Sequence, residues 1–210
     1  MKNILVAVIT SLAVLASAPA SARTVTSDVV RFHNGVAASG QTIALQPLDP
    51  ALANSLEFTS YANTIGDALE KLGFKPAVAG TTSDLIGTIN YVQAERAAPN
   101  DGRGSGFSIG VGIGSFGRRG GVSVGGRVPV GGSSDGKSGP MIRTTTLEFN
   151  LKKPGETVTV WEGRATTEER ASKDNGLPAV VPILTEALLK EFPGTSGKTV
   201  RVKVNTRAKK

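Results

Sequence analysis

Polar and apolar residues alternate with a period of two from Thr146 to Leu151. Leu147, Phe149 and Leu151 fall on one side, and Thr146, Glu148 and Asn150 on the other. Successive side chains of a strand point to opposite faces, so this pattern predicts a half-buried strand over residues 141–151. Lys153-Pro154-Gly155-Glu156 suits a type II turn, in which proline presets its own φ and glycine accepts a positive one. The returning strand, residues 156–166, passes through Trp161, the only tryptophan. After Gly176 the period changes to that of a helix, with Val181, Leu184, Leu188 and Phe192 stacked on one stripe. Glu186 and Lys190 form an exposed pair four residues apart, and Pro182 must lie in the first turns, because deeper in it would break the helix. This second predicted helix, about 178–192, ends at Phe192-Pro193-Gly194.

The same reading applied upstream predicts a sheet for this unit to join. Residues 26–33 can form a first strand with Val30 and Phe32 on one face, and Asn34-Gly35 is a turn signal. Residues 41–46 form a second short strand, stopped by Pro47 and Pro50. Asn54 is placed to cap a helix, with Glu57 completing a capping box. Phe58, Tyr61, Ala62, Ile65, Ala68, Leu69 and Leu72 make its apolar stripe, and Gly73 closes it as a left-handed cap. Strands follow at 75–78 and 85–95, with Asp84 as a turn former at the entrance of the second. Val200, Val202 and Val204 alternate with charged residues over 199–204, predicting an edge strand guarded by lysine and arginine. The expected fold is α+β: a two-layer α/β sandwich in which helices 54–72 and 178–192 cover one face of a mostly antiparallel sheet.

The ends and one insertion change the picture. Lys2 and Asn3, the apolar run 4–16 and Ala20-Ser21-Ala22 form a secretory signal peptide, cut before Arg23. The expected compartment is therefore the periplasm, with no transmembrane segment left after cleavage. There are no cysteines, so a secreted core must hold without disulfides. Residues 23–204 then make a single domain and 205–210 a basic tail. Residues 102–139 carry 15 of the 26 glycines and read as an inserted glycine-rich hairpin: Phe107, Ile109, Val111 and Ile113 alternate with serine or glycine, and Val122, Val124, Val128 and Val130 follow. The formal net charge is +7, yet residues 201–210 contribute +5 and residues 102–139 contribute +4, leaving the remainder of the exported chain net acidic. Export argues against nucleic acid, so the expected partner is an envelope component such as anionic lipid or polysaccharide.

No residue is assigned a catalytic, cofactor-binding or metal-ligating role. Gly112-Ile113-Gly114-Ser115-Phe116-Gly117 has the spacing of a dinucleotide fingerprint, but no helix pattern follows to receive a pyrophosphate. One histidine and no cysteine would leave a zinc site dominated by carboxylates, and His33, beside a turn, reads as an exposed strand end. Glu162, Glu168 and Glu169 read as surface acids pairing with Arg164 and Arg170, and Trp161 as core. The expected function is a non-enzymatic binding or structural domain of the cell envelope. The alternatives are a glycine-rich hairpin that mediates self-association or anionic membrane contact, and an uncharacterised envelope enzyme.

The helix ending Asp67-Ala-Leu-Glu-Lys-Leu-Gly-Phe-Lys-Pro-Ala77, the strand Ser83–Val92, the run 144–151, Val160-Trp161-Glu162-Gly163-Arg164-Ala165 and the closing helix 184–194 together resemble a known group. Over residues 27–194 the chain resembles the bacterial cell-envelope domain of unknown function family 4136, whose members are often lipoproteins. The resemblance implies an α/β sandwich in the envelope and supplies no accepted catalytic residues. The lipidation cysteine of such lipoproteins is missing here.

Overall fold

The computed structural model describes residues 23–34, 40–78, 81–98 and 140–206. They form β1 (Arg23–His33), β2 (Thr42–Pro47), α1 (Leu56–Lys71), β3 (Lys75–Pro76), β4 (Leu85–Ala97), β5 (Met141–Lys152), β6 (Thr159–Arg170), α2 (Leu177–Leu189) and β7 (Thr199–Thr206). The strands make one seven-stranded mixed sheet in the order β3-β2-β4-β5-β6-β1-β7. From β4 through β7 every neighbour is antiparallel. At the other end β2 runs parallel to both β3 and β4, since α1 carries the chain back before the sheet resumes. The glycine-rich insertion lies outside the described residues. Its flanks close on each other, the Ala98 N–H donating to the Pro140 carbonyl at 2.8 Å.

Alternation explains which side of the sheet is apolar. Leu85 and Ile89 of β4, Leu147, Phe149 and Leu151 of β5, and Trp161 and Ala165 of β6 are buried in the same core cluster as α1 and α2. The Pro154-Gly155 turn has the predicted geometry, with Gly155 at φ +77° and the Glu156 N–H donating to Lys153 O at 3.2 Å. Trp161 is fully buried, its ring centroid 5.9 Å from that of Phe149 and 5.3 Å from that of Phe192, while Nε1 donates to Pro193 O at 3.0 Å. Gly163 makes room for it, because a Cβ there would run into the indole and into Leu188. Among the described residues no helix is long and apolar enough to cross a membrane.

Four local expectations are corrected. In β1 the buried residues are Val25, Ser27, Val29 and Arg31, so Val30 and Phe32 lie on the opposite face from the core. Helix α1 is capped by Ser55, whose side chain accepts from the Phe58 N–H, and not by Asn54; Glu57 instead accepts from the Tyr61 hydroxyl at 2.9 Å. A short 3-10 turn at Pro50–Leu52, capped by Asp49, advances the chain and moves the cap one residue along. Helix α2 ends at Leu189, with Glu191 at φ +57°, so Phe192 reaches the core from a turn and not from the helix. Pro182, the sixth residue of α2, is exposed and lies within its first two turns as expected. The predicted strand at 75–78 shrinks to Lys75–Pro76, with the Ala77 N–H making a last bond to Ile43 O at 2.9 Å.

Trp161→Ala should lower the free energy of unfolding by about 3–5 kcal/mol, the usual cost of removing a large buried aromatic. A urea denaturation midpoint that falls with an unchanged slope is the expected readout.

Candidate functional site: a cationic cleft at the sheet edge

The site begins with the residue whose phase in β1 the alternation alone does not settle. Arg31 is 4% exposed on the core face. Its Nε donates to Leu188 O at 2.8 Å, and its second terminal nitrogen donates to Ala187 O at 2.9 Å and to Lys190 O at 3.1 Å. The last carbonyls of a helix have no partner within it and carry the negative end of its dipole, so a planar cation with several donors suits this position. Burial lowers the Arg31 pKa and Glu191 raises it.

This contact anchors the turn that follows α2. His33 Nε2 lies 3.0 Å from Gly194 O, and the His33 N–H donates to Ser196 Oγ at 3.2 Å. The Gly197 N–H donates to Arg31 O at 2.8 Å. Gly194 adopts φ +82° directly against the guanidinium, where any Cβ would collide with Arg31. His33 is therefore a half-buried clasp on the turn and not the exposed strand end expected from the sequence.

Between this turn and β7 lies a cleft of about 610 Å³, lined by Arg31, Lys190, Glu191, Thr195, Val200, Arg201 and Lys203 among others. Arg201 bonds Asp28 across the β1–β7 pair, Nε to Oδ1 at 2.9 Å, and that hydrogen bond and charge raise its pKa. Among the described residues, no carboxylate lies within salt-bridge distance of Lys190 or Lys203. A second hollow of about 350 Å³ lies between α1 and β2, bordered by Leu45, Ala62, Gly66 and Phe74.

Elsewhere in the sheet several charges are paired across strands. Arg164 Nε donates to Glu148 Oε1 at 2.8 Å, Asn90 donates to Glu148 Oε2 at 2.9 Å, and Arg96 bonds Glu168 at 3.1 Å. Arg23 pairs with Glu169, and Arg143 with Glu95. Glu168 is thus a surface acid, whereas Glu169 is half-buried, and their partners Arg96 and Arg23 come from other strands and not from the neighbouring positions expected. Burial raises the Glu162 pKa, the Arg164 charge opposes that, and Glu148 adds to it. Asp84 acts as a structural tie, accepting from both the N–H and the hydroxyl of Thr42 at 2.7 Å. Among the described residues no three His, Cys, Asp or Glu side chains are grouped as metal ligands would be. The residue that sequence reasoning missed is Arg31, which lies in phase with the core valines Val25 and Val29 on a strand whose other face is also apolar.

The fold and edge together define a helix-backed mixed sheet with a cationic border. The chain belongs to the family described as a domain of unknown function (DUF4136), whose model matches residues 32–194. It is 31% identical over 214 residues to uncharacterized protein ZMO1243 of Zymomonas mobilis subsp. mobilis, covering 84% of this chain and 80% of that relative. Among solved structures it is similar to a PDZ domain protein from Parabacteroides distasonis, with a TM-score of 0.47 and 12% identity over 87% of this chain and 39% of that one. It is also similar to the PelC dodecamer from Paraburkholderia phytofirmans, with a TM-score of 0.36 and 11% identity over 78% of this chain and 94% of that one.

Two outcomes follow. Arg31→Leu should destabilise the protein by about 1–3 kcal/mol, the cost of leaving buried carbonyls without a donor. Arg31→Lys should recover only part of this, since an ammonium cannot span the three carbonyls as a guanidinium does; urea midpoints of the two variants check both. The hydrogen bonds from Thr42 hold the Asp84 carboxylate below its ordinary value of 3.8. A depressed folded-state pKa gives stability that is present above the ordinary value and is lost as pH falls through the lowered one. Asp84→Asn should therefore flatten the acid limb of stability against pH, with urea midpoints from neutral pH downward as the measurement.

Proposed function

We propose that this protein is a non-enzymatic binding domain of the periplasmic cell envelope that holds an anionic partner at the β7 cleft. One observation carries the reading: Lys190 and Lys203 border one cleft from its two sides, and among the described residues neither has a carboxylate within salt-bridge distance, Glu191 in the same lining included. The position is held firm by the contacts of Arg31 and His33 on the turn beneath it. A preorganised cationic cleft attracts an anion at long range and needs little ordering when it arrives. Export is supported by the signal-peptide pattern of residues 1–22, a short basic start, an apolar run and a small-residue cleavage site before Arg23.

The test is a comparison at equal charge change. Lys190→Glu with Lys203→Glu should elute from a carboxylate cation-exchange matrix at clearly lower salt than Lys75→Glu with Lys173→Glu, which alters net charge identically at other exposed sites. Equal shifts would show that total charge, and not the cleft, governs binding. In the same producing cells the protein should be recovered from the periplasmic fraction with Arg23 at its N-terminus. Recovery with Met1 in the membrane pellet would remove the export part of the reading.

A further inference from the structure

β7 is the outermost strand on its side of the sheet: it pairs with β1, and no described strand pairs with its other side. Among the described residues, its outward N–H and C=O groups along Thr199–Thr206 therefore have no strand partner. The cleft flanks the first half of that edge, so side chains of an added strand facing the helices would enter it over Val200, which is 39% exposed, and Val202. On the opposite face stand Arg201 and Lys203, two residues apart and on the same side; Arg201 already bonds Asp28 of β1, and among the described residues no carboxylate lies within salt-bridge distance of Lys203. A second copy pairing β7 with β7 about Val202 would set Arg201 against Lys203 twice, and like charges directly opposite are destabilising. In that register the edge disfavours itself, and Lys203 favours an acid across from it.

We propose that β7 is a strand-addition edge for an extended polypeptide segment in which acidic residues alternate with apolar ones. The acids face Arg201 and Lys203, and the apolar side chains enter the cleft over Val200. This rests on the anionic-partner reading above and adds that the partner is a polypeptide. An open strand edge presents alternating donors and acceptors at strand spacing, which another backbone matches residue by residue and a lipid headgroup or a glycan does not.

The experiment measures a fluorescently labelled ten-residue peptide of alternating Glu and Val against the purified protein, by anisotropy and by amide hydrogen exchange. The peptide should bind and should slow exchange of the β7 amides, which are open on one edge in the free protein. The same peptide N-methylated at every second residue on its pairing edge should bind at least about tenfold more weakly, a loss of about 1.4 kcal/mol. Lys203→Glu, checked for unchanged thermal unfolding, should weaken the Glu/Val peptide by a similar factor and improve binding of a Lys/Val peptide. Undiminished binding of the N-methylated peptide overturns the proposal without any change to the protein. Polygalacturonate or phosphatidylglycerol vesicles that bind, weaken with Lys203→Glu and leave β7 exchange unchanged overturn the polypeptide assignment but keep the anionic cleft. If peptide, polygalacturonate and vesicles all fail to bind, both readings fall.

Discussion

The guanidinium of Arg31 under the C-terminus of α2 is the contact on which the β7 end of the molecule depends. It couples three things that the chain makes separately: the first strand, the last turn of the second helix and the loop that leads into β7. Buried arginine is tolerable only when its donors are met, and here they meet carbonyls that would otherwise be orphaned. Each side solves the other's problem. The phase of β1 follows from this bond, because placing Arg31 inward puts Val25 and Val29 in the core and turns Val30 and Phe32 outward.

Trp161 shares in the same assembly from the other side. Its indole N–H fixes Pro193 and its ring meets Phe192, so the turn after α2 is held by an aromatic contact as well as by Arg31 and His33. The glycine at 163 belongs to this arrangement, since the ring lies across the place where a side chain would stand. The outcome is a turn whose shape is set before any partner arrives, beside an edge strand whose charges are only partly matched. The fixed backing beside the cleft is what sets β7 apart, while the centre of the sheet carries cross-strand pairs such as Glu148–Arg164 and Glu168–Arg96.

The opposite border of the sheet has a different character. β3 pairs only Thr42 and Ile43 of β2, and Asp84 ties the start of β4 to Thr42 through both its N–H and its hydroxyl. This parallel corner is short, contains two prolines at Pro47 and Pro76, and is backed by α1. Proline suits such a border because it offers no N–H to an incoming strand on its side. The two edges thus differ in the main-chain groups they can offer to another chain.

Period alone determined the elements. The central hairpin, its type II turn, the amphipathic stripe of α1 and the charged alternation of β7 were all legible, because each depends on residues close together in the chain. Trp161 was legible as core for the same reason: it sits in the middle of a strand that must be half buried. What only the tertiary structure decided is the phase of β1, the end of α2 at Leu189 and the existence of the cleft. Residues 25–32 carry apolar side chains on both faces, Val25 and Val29 on one and Val30 and Phe32 on the other, so alternation could not choose between them. The choice was made by the carbonyls at the end of a helix more than 150 residues away, which needed a donor that Arg31 could supply.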